Sequence, residues 1–213
     1  LASHDTDRLA SMLVNGGLGG YDQLAGVGDT SAVRVRAPSA PERRLQRAVV
    51  ALQMALPGAP HIYYGDEAGL WGPDDPDDRK PMVWPDLAFE PETRHPLGLG
   101  RPADPVGFDA DLVAFYREAI ALRTSDAVLR RGALAVLAAD RDAVAFERSM
   151  EGERRVVGFN RGDHPAVLKL APGGPWHVAF VSSGARWSTP APSPAGEWTI
   201  PARTTVVLRP LAD

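Results

Sequence analysis

The stretch that most constrains this chain covers residues 57–84, PGAPHIYYGDEAGLWGPDDPDDRKPMVW, where a short apolar run ends in glycine and gives way to carboxylates. His61, Ile62, Tyr63 and Tyr64 are β-prone without alternation, the pattern of a strand buried on both faces in a parallel sheet. Gly65 permits a sharp turn, and Asp66, Glu67, Asp74, Asp75, Asp77, Asp78, Arg79 and Lys80 follow it. In parallel α/β folds the loops after the strands converge on the ligand, so function is expected at this junction.

Helical periodicity surrounds it. Leu9, Met12 and Leu13 predict a short helix that Thr6 or Asp7 could cap and Gly16 with Gly17 could end. Glycine-rich residues 16–37 read as an irregular excursion anchored by Tyr21, Leu24 and Val33. Ser39 and Glu42 have the spacing of a capping box, and Leu45, Val49, Leu52 and Leu56 form an apolar stripe that Pro57 and Gly58 stop. Arg43, Arg44 and Arg47 on the other side read as a solvated charge cluster. Residues 85–107 predict a long loop packed by Leu87, Phe89, Leu97 and Leu99. A further helix follows, with Asp109 or Asp111 as cap and Leu112, Phe115, Tyr116, Ala119 and Leu122 as its buried face.

From about Gly132 the period becomes that of strands, at residues 133–137, 144–148, 154–160, 167–170, 177–181 and 204–208, with turn signals between the early ones. Short strands so spaced predict a small antiparallel sandwich. The organisation expected is therefore an α/β part over residues 1–131 and a β domain over 132–213. A formal charge of -4 with acidic and basic residues interspersed gives no footprint for nucleic acid or an anionic membrane. No apolar run approaches the roughly 20 residues that span a bilayer. The chain has no cysteine, which excludes disulfides and thiolate metal sites and fits a reducing, cytoplasmic setting.

The run IYYGDEAGLWGPDDPDDRKPMVW resembles the end of the catalytic barrel in the α-amylase superfamily of glycoside hydrolases, most of all its neopullulanase, cyclomaltodextrinase and maltogenic amylase branch. The opening residues Ser3, His4, Asp5, Thr6, Asp7 and Arg8 resemble the same superfamily's motif at the seventh barrel strand, in the right order before it. The resemblance implies the C-terminal portion of a TIM (β/α)8 barrel followed by an antiparallel β-sandwich domain. It also implies that His4-Asp5 and Gly65-Asp66 sit at the ends of adjacent parallel strands. Only three residues precede His4, so the chain reads as the C-terminal part of a longer protein.

Retaining glycosidases need a carboxylate nucleophile and a carboxylic acid about 5 to 5.5 Å apart. In the superfamily both lie on earlier strands, so the parent is expected to be the enzyme and residues 1–213 alone to be inactive. By resemblance Asp5 is the third carboxylate, which stabilises the transition state, and His4 binds a hydroxyl of the same sugar. Read without the resemblance, the His-Asp pair is a helix N-terminus with a capping Asp. Asp75 and Arg79 match the outer residues of the branch's Asp-Pro-Asp-x-Arg pattern, which bind the next glucose; Asp78 stands where many relatives carry cysteine. Trp71, Trp84 and Tyr64 are candidates to stack on glucose rings. Asp66 and Glu67 could be an acid pair, but read more simply as a structural end to the strand.

Neither the acidic loop nor the histidines have metal-ligand spacing, so no metal and no cofactor are expected. The expected partners are an α-glucan or maltooligosaccharide substrate, the N-terminal part of the barrel, and a second copy in a homo-oligomer. The expected activity is hydrolysis or transfer at α-1,4 or α-1,6 glucosidic bonds with retention. The alternatives are a noncatalytic carbohydrate-binding or subunit-docking module, and a sucrose- or trehalose-directed enzyme of the same superfamily.

Overall fold

The computed structural model describes residues 2–16, 33–73, 75–96, 98–169, 176–183 and 196–210. Its elements in chain order are helices α1 (Leu9–Val14), α2 (Ala40–Ala55), α3 (Ala110–Ser125) and α4 (Ala127–Arg131), then strands β1 (Ala133–Ala139), β2 (Ala143–Met150), β3 (Glu153–Asn160), β4 (Ala166–Lys169), β5 (Trp176–Val181), β6 (Glu197–Ile200) and β7 (Thr204–Pro210). A short 3-10 helix, Asp77–Arg79, lies in the acidic loop. The chain forms two compact units, residues 1–46 with 61–114, and residues 47–60 with 115–213. The change of period near residue 132 therefore does not mark the division between them: the second halves of α2 and α3 go with the sheet.

In the first unit the N-cap position of α1 falls on Arg8, which has extended backbone and makes no side-chain cap, rather than on Thr6 or Asp7. The Asn15 amide closes the other end, donating to Ser11 O and Arg34 O while its oxygen accepts from Arg34 N. Ala10 packs there with Val33, Val35 and Trp71. Val33 is thus the anchor expected of it; Tyr21 and Leu24 lie outside the described residues. In the first turn of α2, Glu42 accepts from both the Ser39 backbone N–H and its hydroxyl, and the Arg36 guanidinium grips it at 2.7 and 2.8 Å. That grip pulls the Glu42 carboxyl down to about 2. Arg43 is no solvated charge: it donates to Gln46 and to Gly69 O.

The run 61–64 is not the expected strand. No ladder is assigned to it, and His61 and Tyr64 are exposed, because no neighbouring strand among the described residues covers it. The turn after it is as expected. Gly65 has φ +82°, Ala68 N and Leu70 N both donate to its carbonyl, and a Cβ there would run into the Leu70 side chain. Ala68, Leu70 and Val83 then form a small core with Phe89, Val106 and Phe108. Of the loop anchors, Phe89 packs as expected, Leu87 and Leu99 are half exposed instead, and Leu97 lies outside the described residues.

The second unit is a sandwich of two antiparallel sheets, ordered β1-β2-β3-β7-β5 and β4-β6. Ala143, Ala145, Val156, Val206 and Leu208 of the larger sheet meet Leu168, Trp198 and Ile200 of the smaller. Gly158 leaves room for the Trp198 ring, which any Cβ there would strike. Phe146, Val157 and Val207 point to the other face and pack with Ala55, Leu122 and Leu129 from the helices. Because both faces of the larger sheet are covered, β7 is buried without alternation from Thr204 to Leu208. Asp126 caps α4 through Val128 N and binds Arg155 at 2.6 Å and Arg209 at 3.1 Å, tying that helix to β3 and β7. Helix α4 and strand β6 were not picked out by period; Trp198 and Ile200 are the buried alternate residues of β6.

Candidate active site

In the first unit, four of the expected residues come together around one guanidinium. Arg79 Nε donates to the His4 carbonyl at 2.9 Å, and its Nη2 donates to the Asp75 carboxylate at 2.7 Å. The same Nη2 lies 3.7 Å from Asp5, whose other oxygen is 3.1 Å from His4 Nε2. His4 and Asp5 occupy a turn ahead of α1, while Asp75 precedes and Arg79 ends the 3-10 helix 70 to 75 positions later. All four are open to solvent, with His4 and Asp5 side chains more than two-thirds exposed. The group presents acceptors on two carboxylates and donors on a planar fork, the complement of a ring of sugar hydroxyls.

Beneath it a buried layer sets the spacing of the two segments. Arg8, wholly buried, donates to Tyr64 O at 2.6 Å and to Asp66 at 3.2 Å, so the turns carrying His4-Asp5 and Gly65-Asp66 are adjacent even without barrel strands. The remaining guanidinium nitrogens have no hydrogen bond among the described residues and lie against the Tyr63 and Tyr64 rings, whose centroids are 4.7 and 4.8 Å from Arg8 Cζ. Arg8 N also donates to Gly72 O, and Gly72 N donates to Ser11 Oγ. Gly72 touches the backbone of Asp77 so closely that no Cβ fits, which presses the acidic loop against the start of α1. Arg8 was quoted in the motif without a role; its partner is 58 positions away, and no local pattern announces it.

The stacking expected of Trp71 fails. Its ring is in the core with Ala10, Val33 and Val35, with Lys80 Nζ 4.0 Å and Arg101 Cζ 4.8 Å from its centroid. Lys80, another residue given no role beforehand, also reaches Asp77 at 3.1 Å and Glu92 at 3.4 Å, staking down the far end of the loop. Tyr64 stays 42% exposed, its hydroxyl donating to Lys80 O, and Trp84 is 53% exposed. Asp77 and Asp78 are buried, and burial raises both carboxyls above their ordinary range. No cluster among the described residues has the make-up of a metal site.

Asp66 is 4% exposed, so it cannot touch a substrate, in keeping with the structural reading of Gly-Asp-Glu. Burial pushes its carboxyl up from 3.8 to about 6, against the pull of Arg8. The folded form therefore binds this proton more tightly than the unfolded chain does, and Asp66 favours folding most at low pH. Its contribution is complete below about pH 4 and declines as pH rises to about 6, by up to about 3 kcal/mol for a change from 3.8 to about 6. Asp66→Asn should flatten that part of the pH–stability curve in urea unfolding at pH 4 and pH 7; a mutant curve parallel to wild type would assign the slope elsewhere.

The class follows from fold and site together. The structure of the α-amylase from H. orenii superposes with a TM-score of 0.64, covering 99% of this chain and 39% of that one at 22% identity. The fold is thus α/β, the closing portion of a TIM barrel followed by an antiparallel sandwich. No family model matches the chain. The amylopullulanase of Thermoanaerobacter thermohydrosulfuricus is 31% identical over 173 residues, 81% of this chain and 10% of the relative. Neopullulanase 2 of Thermoactinomyces vulgaris is 37% identical over 129 residues, 59% of this chain and 19% of the relative. The chain belongs to the α-amylase superfamily of glycoside hydrolases, in its neopullulanase and cyclomaltodextrinase branch. It matches from about a tenth to a fifth of the length of these curated relatives.

Proposed function

We propose that this chain is the C-terminal part of a retaining α-glucan glycosidase, acting by hydrolysis or transfer at α-1,4 or α-1,6 glucosidic bonds, and that it furnishes one side of the sugar cleft. The observation that carries the reading is the Arg79 guanidinium, which gathers His4, Asp5 and Asp75 from segments some 70 residues apart. Asp5 accepts from ring hydroxyls at the cleavage subsite and offsets positive charge as the oxocarbenium-like transition state forms. His4 binds a hydroxyl of the same sugar. Asp75 and Arg79 hold the neighbouring glucose, with Tyr64 beside them as a stacking surface. Nucleophile and acid come from barrel strands outside this chain, so residues 1–213 bind but do not turn over. No helix among the described residues is long and apolar enough to cross a membrane. The complete lack of cysteine supports a cytoplasmic setting.

In the full-length parent, Asp75→Ala should raise KM for maltooligosaccharides about tenfold while kcat changes less, as loss of one or two hydrogen bonds to a neutral ligand implies. Asp75→Asn, which keeps an acceptor, should recover part of it. Kinetics unchanged from wild type would return the loop to a purely structural role.

A further inference from the structure

Asp78 stands in the 3-10 helix one position before Arg79, and the sugar binding proposed above gives it no part. Its side chain is wholly buried, and neither carboxyl oxygen has a hydrogen-bond partner among the described residues. An ionised carboxylate in that state is among the costliest groups a protein can bury. Gly72 packs so closely against the backbone of Asp77 and Asp78 that the loop is pinned with this side chain inward.

The cations around it are already engaged. Arg79 Nε, 4.0 Å from Asp78 Oδ1, donates to the His4 carbonyl at 2.9 Å. Arg79 Nη2 donates to Asp75 at 2.7 Å and lies 3.7 Å from Asp5. Arg8 is paired with Asp66 at 3.2 Å, and Lys80 with Asp77 at 3.1 Å and Glu92 at 3.4 Å. Tyr63, in the run before Gly65, also lies within reach of the Asp78 charge. The guanidinia of Arg8 and Arg79 thus already face the carboxylates of Asp5, Asp66 and Asp75, and a further negative charge is in excess. Burial first of all raises the Asp78 carboxyl above its ordinary range, against the pull of Arg79 and Arg8 and with the help of Asp75.

The neutral carboxyl fits the position Arg79 holds; the ionised one does not. A carboxylate accepts from a guanidinium at about 2.7–2.9 Å. Loss of the proton therefore favours closing the 4.0 Å gap, which takes Nε from the His4 carbonyl and pulls the fork away from Asp75 and Asp5. We propose that Asp78 is a positioning residue for Arg79: with its proton it leaves the guanidinium free to reach forward to Asp75 and Asp5, and without it draws Arg79 back from the sugar. The inference rests on the reading of Arg79 as a sugar-binding group. Sugar then binds better to the protonated form, so affinity is greatest at low pH and falls as pH rises through the Asp78 pKa.

In the full-length parent, KM for maltooligosaccharides should rise about tenfold between about pH 4 and pH 8, the span in which a raised carboxyl titrates, as loss of a hydrogen bond from a charged donor implies. Asp78→Asn, which keeps the shape and cannot ionise, should remove that rise and leave the pH profile of kcat as in wild type. A second measurement needs no sugar. The Arg79 Nε–H resonance of the 15N-arginine-labelled parent, identified by its loss in Arg79→Lys, should shift over the same pH interval in wild type and stay still in Asp78→Asn. A resonance that stays still in wild type would overturn the proposal without any variant at position 78 having to fold. So would a resonance that moves equally in Asp78→Asn, or a rise in KM that Asp78→Asn leaves intact. A resonance that moves only in wild type while KM stays flat would uphold the hold of Asp78 on Arg79 and overturn the sugar-binding role of Arg79.

Discussion

Asp5→Ala in the full-length parent should lower kcat by a factor of about 1,000 or more, with KM for maltooligosaccharides changed far less. The asymmetry follows from where the carboxylate acts. In the role proposed for it, Asp5 gives a neutral ground-state sugar about one ordinary hydrogen bond, whereas the oxocarbenium-like transition state carries positive charge that a carboxylate stabilises much more strongly. The structure supplies the means of holding it there. Asp5 lies 3.1 Å from His4 Nε2 and 3.7 Å from Arg79 Nη2, so its two oxygens face these groups from two sides. Arg79→Lys should show the same preorganisation at second hand. Lysine cannot span Asp75, Asp5 and the His4 carbonyl with one planar fork, so loss of both binding and turnover is expected, smaller in turnover than for Asp5→Ala. Equal losses in kcat for Asp5→Ala and Asp75→Ala would contradict the division of roles, and an Asp5→Ala parent that retained normal turnover would remove this chain from the chemistry.

What the sequence made legible depended on how far apart the partners lie. Helix α3 could be read residue by residue: Leu112, Phe115, Tyr116, Ala119 and Leu122 are all buried, because large side chains at helical spacing announce their own face. Helix α2 misled. Its expected stripe of Leu45, Val49 and Leu52 is half buried and Leu56 is 37% exposed, while the buried side consists of Gln46, Ala48, Val50, Ala51, Met54 and Ala55. Alanines carry little hydrophobic signal, yet they let a helix approach a sheet closely, and Ala55 packs against the β-sheet residues Phe146, Val157 and Val207. The pairs His4 with Asp5 and Asp75 with Arg79 could be picked out because each is local in sequence. The layer that joins them could not. Arg8 with Asp66, Gly72 with Asp77 and Lys80 with Trp71 depend on tertiary approach, and so do Trp71's burial and Tyr64's exposure.

The largest stability loss from one substitution should come from the second unit, at a cation without a carboxylate. Arg148 is wholly buried in β2, and its guanidinium donates to Gly132 O at 2.7 and 3.2 Å, to Ala133 O, and to Ala55 O at the end of α2. Arg123 does the same work from α3, donating to Met54 O and Leu56 O at 2.8 Å each, to Leu129 O, and to Gly58 O. A helix ends with carbonyls that lack intrahelical partners, and here two arginines satisfy them where glycine or water usually does. Burial, first of all, and the second guanidinium nearby lower the Arg148 pKa from its ordinary value. Arg148→Met should still be costly, because it refills most of the volume but leaves the Ala55 and Gly132 carbonyls buried without donors, at about 1–3 kcal/mol each. We expect a total loss of about 3 kcal/mol, seen as a fall in melting temperature of about 6–12 °C for a chain of this size. Arg148→Lys should recover only part of it, since an ammonium group cannot reach across α2, α4 and β1 as a planar fork does. A melting curve for Arg148→Met within a degree or two of wild type would mean that the end of α2 finds its hydrogen bonds elsewhere, and that the buried guanidinium only fills space.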